Sequence, residues 1–121
     1  MSTCSQIWEM KDHFSGDTFK EKIITLKNDN DTPIDITDCT FLFEFRKAKI
    51  GLNDNPVSFF WSSSDNSIEI VDAENGQLKL NKQNISVDPS DYVSDFQITY
   101  ANEDVETLFN AKIRVIQSIS G

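Results

Sequence analysis

The chain has 121 residues, of which 38% are hydrophobic and 11% aromatic, and this composition fits one globular domain rather than a disordered or fibrous protein. Twenty acidic residues against eleven basic ones give a net charge of −9, which argues against nucleic acids and anionic membranes as partners. No stretch approaches the roughly 20 apolar residues that span a bilayer, and residues 1–6 lack a secretory signal pattern, so we expect synthesis in a cytoplasm.

The first third of the chain predicts extended segments. Residues 7–14 alternate weakly between apolar and polar and predict a short edge strand or an N-terminal arm. Residues 19–26 predict a strand entered through the turn at 15–17, and the turn-rich residues 28–33 end it. The clearest strand follows, because Phe41, Phe43 and Phe45 share one face.

The middle of the chain predicts a further strand and a hairpin. Residues 57–61 predict a strand in which adjacent aromatic side chains lie on opposite faces. Residues 68–70 and 78–80 predict a strand pair, and the Asn75–Gly76 turn between them favours positive φ. Residues 81–87 predict a single helical turn.

Two more strands, over residues 92–100 and 108–119, complete the pattern. Each of these strands is predicted to have one buried face. That face holds Phe96, Ile98 and Tyr100 in the first strand and Ile113 and Val115 in the second. Lys112 and Arg114 are predicted to point outward.

These segments predict an all-β, immunoglobulin-like β-sandwich of about seven to nine antiparallel strands. We assign residues 14–121 to this single domain and residues 1–13 to the arm or edge strand. Tyr92 follows a turn and heads a late strand, which predicts a tyrosine corner in which its hydroxyl bonds to backbone a few residues upstream.

The order of these segments resembles the immunoglobulin-like N-terminal domain of phage baseplate upper proteins and related tail-fibre components. The motifs that carry the resemblance are GDTF (16–19), PIDIT (33–37), FLFEFR (41–46), IEI (68–70), GQLKL (76–80), YVSDFQIT (92–99), ETL (106–108) and IRV (113–115). They cover nearly the whole chain, from about residue 14 to residue 119.

The resemblance implies a virion structural protein that anchors, joins or decorates a tail, baseplate, fibre or capsid. It also implies assembly in the host cytoplasm, other virion proteins as partners, and a homo-oligomer or several copies in a particle. Two departures matter: Asn110 stands where such domains often have Gly, and the sequence ends at Gly121, before the host-binding domains of baseplate upper proteins. We therefore expect an accessory or joining role rather than receptor binding.

The sequence predicts no catalytic, cofactor-binding or metal-binding residues. We therefore expect that the protein is not an enzyme. His13 is the one histidine, and no nucleophile motif accompanies it. Cys4 and Cys39 are expected to be free thiols. The acidic loops at 28–31, 65–66 and 72–74 carry oxygen ligands that suit calcium, but they lack EF-hand spacing and are interpreted as turns.

Aromatic side chains supply the candidate contact residues, which are Trp8, Phe60 and Trp61. Docking of these aromatics and strand addition at an open edge are the two expected modes of contact. The alternative function is a carbohydrate-binding or adhesin module for a host glycan, with Trp61 as a platform beside Asp65 and Asn66.

Overall fold

The computed structural model describes residues 7–28, 30–48 and 56–117 of the chain. Eleven strands lie within these residues, together with a 3-10 turn at Ala73–Asn75. In chain order the strands are β1 (Ile7–Glu9), β2 (His13–Phe14), β3 (Thr18–Phe19), β4 (Lys22–Thr25), β5 (Thr40–Lys47), β6 (Phe59–Ser62), β7 (Ile68–Asp72), β8 (Gln77–Leu80), β9 (Gln83–Asn84), β10 (Ser90–Thr99) and β11 (Val105–Ile116).

Two main sheets form the sandwich. The larger sheet, which we call sheet A, has the order β1-β11-β10-β5-β6, with β2 also paired to β11. The smaller, sheet C, has the order β4-β8-β7, and β3 pairs with β9 in a separate two-stranded ribbon. This arrangement matches immunoglobulin sandwiches, in which B-E-D strands face C-F-G strands. The predicted all-β sandwich is confirmed.

The core lies between the two sheets. Sheet A contributes the large rings, among which Phe43, Phe45 and Phe96 are fully buried. Sheet C contributes aliphatic side chains to the same cluster, including Leu78 and Leu80. The buried faces predicted for β5 and for residues 113–115 are confirmed. On β10, Phe96 and Ile98 are buried as expected. Tyr100, at the end of the same face, is half-buried.

The predicted hairpin is present. β7 and β8 are antiparallel, with Ile68 opposite Leu80 and Ile70 opposite Leu78. The chain reverses through the 3-10 turn and then Gly76, whose φ of 68° is the positive value expected for the turn.

Two predictions about local structure are wrong. Residues 81–87 form no helical turn, because Gln83–Asn84 pairs with Thr18–Phe19 and the Asn84 side chain donates to the Gly16 oxygen at 2.7 Å. These polar groups are satisfied by pairing with a distant strand. The ladders are also not all antiparallel, since β1 and β2 both run parallel to β11.

The N-terminal segment belongs to sheet A. Trp8 is paired with Ala111, and His13 and Phe14 are paired with Val115 and Ile116. Of the two structures expected for this segment, the edge strand is therefore the one observed. The expected boundary between residues 13 and 14 falls inside β2.

Candidate functional site

Trp61 is a core residue, which corrects its prediction as a surface contact. Its side chain is fully buried, with the Phe19 ring 5.0 Å away, and its Nε1 donates to the Asn81 oxygen at 2.8 Å. Antiparallel pairing with Phe43 points Trp61 inward. The sugar platform predicted around it therefore has no exposed indole.

Trp8 packs on its own domain. Because β1 pairs Trp8 with the buried Ala111, the indole turns toward the core side of sheet A. It stacks on Phe43 with ring centres 6.2 Å apart and meets Phe109 edge-on at 6.4 Å. The expected apolar arm against a neighbouring molecule is thus an internal contact, with the indole half-buried.

Phe60 is the predicted contact residue that the structure leaves exposed. It lies on β6 between the buried Phe59 and Trp61, and 42% of its surface is accessible. Its cross-strand partner is Glu44 on β5, so both side chains project from the side of sheet A that faces away from the core. The expectation that one aromatic of this strand would point outward is confirmed.

Tyr92 makes the hydrogen bond expected of a tyrosine corner. Its hydroxyl donates to the backbone oxygen of Asp88, four residues upstream, at 2.6 Å, and its ring is fully buried. Burial, followed by the nearby Asp88 carboxylate, raises the pKa of Tyr92. The bond ties the 88–91 loop to the sandwich, so Tyr92 has a structural role.

The outward side of β5, β10 and β11 carries a hollow of about 540 Å³. We call it the outer hollow. Its apolar part includes Leu42 and Val93, and its charged part consists of Glu44, Arg46, Asp95 and Lys112. Strand alternation places these side chains opposite the buried rings of the same strands.

Charges within the outer hollow are arranged in short contacts. Glu44 lies directly opposite Asp95 on the neighbouring strand, a like-charge pair that is unfavourable by itself. Arg46 approaches Glu44 at 3.6 Å, and the Asn110 side-chain amide donates to Asp95. Two carboxylates are thereby held side by side. Lys112, which lines the same hollow, lies opposite Val93 on β10 and Glu9 on β1.

The edge of sheet A at β6 is blocked by side chains. The ladder pairs Phe43 with Trp61, which directs the backbone groups of Phe60 and Ser62 toward the open side. Gln83 Nε2 donates to the Phe60 oxygen at 2.9 Å. The Ser67 hydroxyl accepts from the Ser62 nitrogen at 2.7 Å and approaches the Ser62 oxygen at 3.1 Å. Strand addition at β6 is therefore disfavoured.

Three of the other described edges, at β1, β2 and β7, are also poor templates for a new strand. β1 and β2 are only three and two residues long. β7 has an irregular register between Ile70 and Asp72, which leaves Val71 out of the ladder. Short strands and bulges are the usual protection of sheet edges. β4, the edge strand at the other end of sheet C, pairs in regular register with β8 over four residues.

The acidic loops cap turns. Asn28 Oδ1 accepts from the nitrogens of Asn30 and Thr32, at 2.9 and 3.1 Å. Asp65 Oδ1 accepts from the nitrogen and hydroxyl of Ser67, and these bonds lower the pKa of Asp65. Among the described side chains, no group of three or more His, Cys, Asp or Glu residues could hold a metal ion.

His13 and Cys39 lie in separate places. His13 Nε2 is 3.0 Å from the backbone oxygen of Asp17, and Cys39 is a half-buried free thiol whose pKa is raised mainly by burial. Cys4 lies outside the described residues.

Sequence reasoning missed the outer hollow. It assigned Lys112 to the outward face but attached no role to it, and it did not single out Asp95 or Val93. The alternation of β10 and β11 shows that these residues are outward. Their convergence with β5 depends on strand order, which no local pattern encodes.

No protein-family model matches the chain, and no curated protein sequence matches it. Among the described residues, no helix is long and apolar enough to cross a membrane.

Proposed function

We propose that this protein is a non-enzymatic contact module of a phage virion, which anchors, joins or decorates tail, baseplate, fibre or capsid components. It works through protein–protein contacts made by the outward side of sheet A. Its partners are other virion proteins and further copies of itself, assembled in the host cytoplasm.

One observation carries the contact role: exposed Phe60 stands directly beside the outer hollow on the same side of sheet A. Protein interfaces are anchored by a few aromatic side chains that fill pockets, with polar groups around them. A flat polar face would lack both the anchor and the pocket. The edges at β1, β2, β6 and β7 are blunted, which favours this face over strand addition at those edges.

The virion part of the proposal comes from the order and spacing of the sequence motifs. The sandwich order found here is the one that such immunoglobulin-like domains require. Because one fold hosts many functions, the fold adds support only by being compatible.

The carbohydrate-binding alternative has lost its main support. It relied on an exposed Trp61, and that ring is fully buried. Asp65, the expected polar neighbour, is engaged by Ser67. Phe60 remains as an exposed aromatic side chain beside the polar and charged groups of the outer hollow.

The test is to quantify this chain in purified phage particles by mass spectrometry, with the major structural protein as the internal standard. We expect a fixed ratio to that protein that survives a high-salt wash and gradient sedimentation. Absence from the particles, or a ratio that falls with each wash, would contradict the virion role. A glycan array with the purified chain is the parallel experiment, and clear saccharide binding would favour the alternative.

A further inference from the structure

We propose that Asn75 is a site of spontaneous deamidation, that opening of the turn between β7 and β8 controls the rate, and that the product no longer fits this turn. This modification goes beyond the proposed contact role and does not depend on it. The reaction needs no enzyme, and its only co-reactant is water.

The sequence at the turn supplies the reacting groups. Asn75 is followed by Gly76, and this is the one Asn-Gly pair in the chain. The Gly76 backbone nitrogen attacks the side-chain Cγ of Asn75, so the N–Cγ bond forms and the Cγ–Nδ2 bond breaks. The proton of the attacking nitrogen leaves with the ammonia, and water then opens the resulting succinimide ring to aspartate or isoaspartate. Gly76 has no Cβ atom that would hinder the attack.

In the folded chain the turn keeps the two reacting groups apart. Asn75 is the last residue of the 3-10 turn, a conformation in which ψ is about −20 to −30°. The ring closes only when the Gly76 nitrogen eclipses Cβ of Asn75, which this ψ does not allow. The Gly76 nitrogen also donates to the Ala73 oxygen at 3.3 Å, and Asn75 Nδ2 donates to Asp72 Oδ2 at 2.8 Å. The attack therefore requires the turn to open.

Opening of the turn is a local event. The Asn75 side chain is exposed, so water reaches it in the folded chain. The β7–β8 ladder is already irregular between Ile70 and Asp72, at the entry to the turn. Segments with few ladder bonds open at a lower free energy than core strands do. The rate in the folded chain is then the rate of the open turn multiplied by the fraction of time that the turn is open.

The isoaspartate product does not fit the closed turn. It carries the main chain through Cγ, which adds one backbone atom before Gly76. Gly76 has no freedom to move, because its oxygen accepts from the Leu26 nitrogen at 2.8 Å and a Cβ atom on it would lie 2.7 Å from the Ile34 oxygen. A longer turn loses one of these contacts.

The aspartate product is also less stable than the original turn. It places a carboxylate where the amide of Asn75 donates to Asp72. A hydrogen bond is thereby replaced by a contact between like charges, which repel.

Asn102 is a matched control in the same chain. It is also exposed in a tight turn, and its Nδ2 also donates to a carboxylate, Asp104 Oδ2, at 3.1 Å. The residue after it is Glu103, whose side chain hinders attack on Cγ. A difference in rate between these two asparagines in one sample therefore does not come from pH, temperature or buffer.

Peptide mapping by mass spectrometry tests the site, with the purified full chain incubated at mildly alkaline pH. We expect conversion at Asn75 before Asn102, and a rate at Asn75 at least about tenfold lower in the folded chain than in denaturant. Asp72→Ala removes the carboxylate that holds the amide, so it should raise the folded rate about threefold or more, relative to the same variant in denaturant. Asp104→Ala, the matched variant at the other turn, should leave the rate at Asn75 within about twofold.

The product is tested separately. Each conversion adds one negative charge, so anion exchange separates the modified chain from the unmodified one. We expect the modified chain to unfold at a temperature about 3 °C or more below that of the unmodified chain.

Three results would overturn parts of the proposal. Faster conversion at Asn102 would show that Asn75 is not the preferred site. Equal rates in the folded chain and in denaturant, or no effect of Asp72→Ala, would remove the control by the turn. An unchanged unfolding temperature after separation would show that the turn accepts the product.

Discussion

At the scale of single residues, the two tyrosines are held in similar ways. The hydroxyl of Tyr92 donates to the Asp88 oxygen, and that of Tyr100 to Glu106 Oε1, both at 2.6 Å. Burial, then the bond to Glu106, raises the pKa of Tyr100 from its ordinary value of 10 to about 12, and burial also raises the pKa of Tyr92. Since both shifts favour the neutral phenol, the folded chain retains these protons at a pH where the unfolded chain loses them.

An alkaline titration followed by tyrosinate absorbance tests this. With only two tyrosines in the chain, we expect little ionisation of the native protein near pH 10, and Tyr100 to titrate at about pH 12. In denaturant both should ionise near pH 10. The free energy of unfolding should therefore fall as pH rises from about 10, because the folded state then binds more protons. The variants Tyr92→Phe and Tyr100→Phe each keep one tyrosine. If that tyrosine ionised near pH 10 in both folded variants, the raised pKa values would be contradicted.

Two neighbours on β6 should respond differently to truncation. Trp61→Ala removes a fully buried ring and its bond to Asn81, so we expect a loss of about 3–5 kcal/mol in unfolding free energy. Phe60→Ala removes an exposed ring and should change monomer stability by less than about 1 kcal/mol. Urea denaturation at low protein concentration measures both, and similar losses for the two variants would place both rings in the core.

This contrast shows what alternation can predict at the residue scale. The pattern establishes that Phe59 and Trp61 share one face and that Phe60 occupies the other. It does not say which face is the core, because that depends on the register with β5. Tyr92 was predictable in its role because its partner, Asp88, lies only four residues away.

At the scale of elements, the β7–β8 hairpin depends on Gly76. Its φ is 68°, and a Cβ atom there would lie 2.7 Å from the backbone oxygens of both Ile34 and Leu26. The Gly76 oxygen also accepts from the Leu26 nitrogen at 2.8 Å, so the turn is joined to the end of β4. Backbone at this distance leaves no room for a side chain.

Gly76→Ala should destabilise the fold by about 2–4 kcal/mol, from positive-φ strain together with the steric clash. Gly16 is the control, because its φ is also positive, at 95°, but a Cβ atom added there would have no atom of the described residues within 4 Å, its chain neighbours aside. Gly16→Ala should cost only the strain, about 1 kcal/mol. Thermal denaturation compares the two, and equal losses would show that the close approach at Gly76 has no energetic weight.

Local patterns predicted the strands with strong alternation and the hairpin, where neighbouring segments pair. They did not predict the parallel pairing of β1 and β2 with β11, which joins residues about a hundred positions apart. The helical turn predicted for residues 81–87 was wrong for a related reason, since Gln83–Asn84 pairs with Thr18 and Phe19 in β3. In both places the structure depends on pairing with a strand that is distant in sequence.

At the scale of the whole molecule, the net charge of −9 opposes the association of two copies of the chain. Long-range repulsion between two copies is strongest at low ionic strength, where the Debye length is about 30 Å at 0.01 M salt, against about 8 Å at 0.15 M. The short contacts inside an interface are screened less.

We therefore expect dimers of the chain, one form of the proposed self-association, to tighten by about threefold or more as salt rises from 0.01 M to 0.15 M. Binding of the acidic surface to a basic partner would weaken over the same range. Light scattering at fixed protein concentration measures the change, and loss of dimer with added salt would indicate that attraction between opposite charges dominates.

The most direct measurement is the incorporation of tagged variants into phage particles during assembly, scored by mass spectrometry against the wild-type chain in the same cells. We expect Phe60→Ala to be depleted from particles. Ile23→Ala is the control, because Ile23 is exposed to 49% on β4 of the other sheet, and we expect it to be retained at the wild-type ratio. Incorporation of Phe60→Ala at the wild-type ratio would contradict a contact role for the outward side of sheet A. Absence of the wild-type chain from particles would contradict the virion role itself.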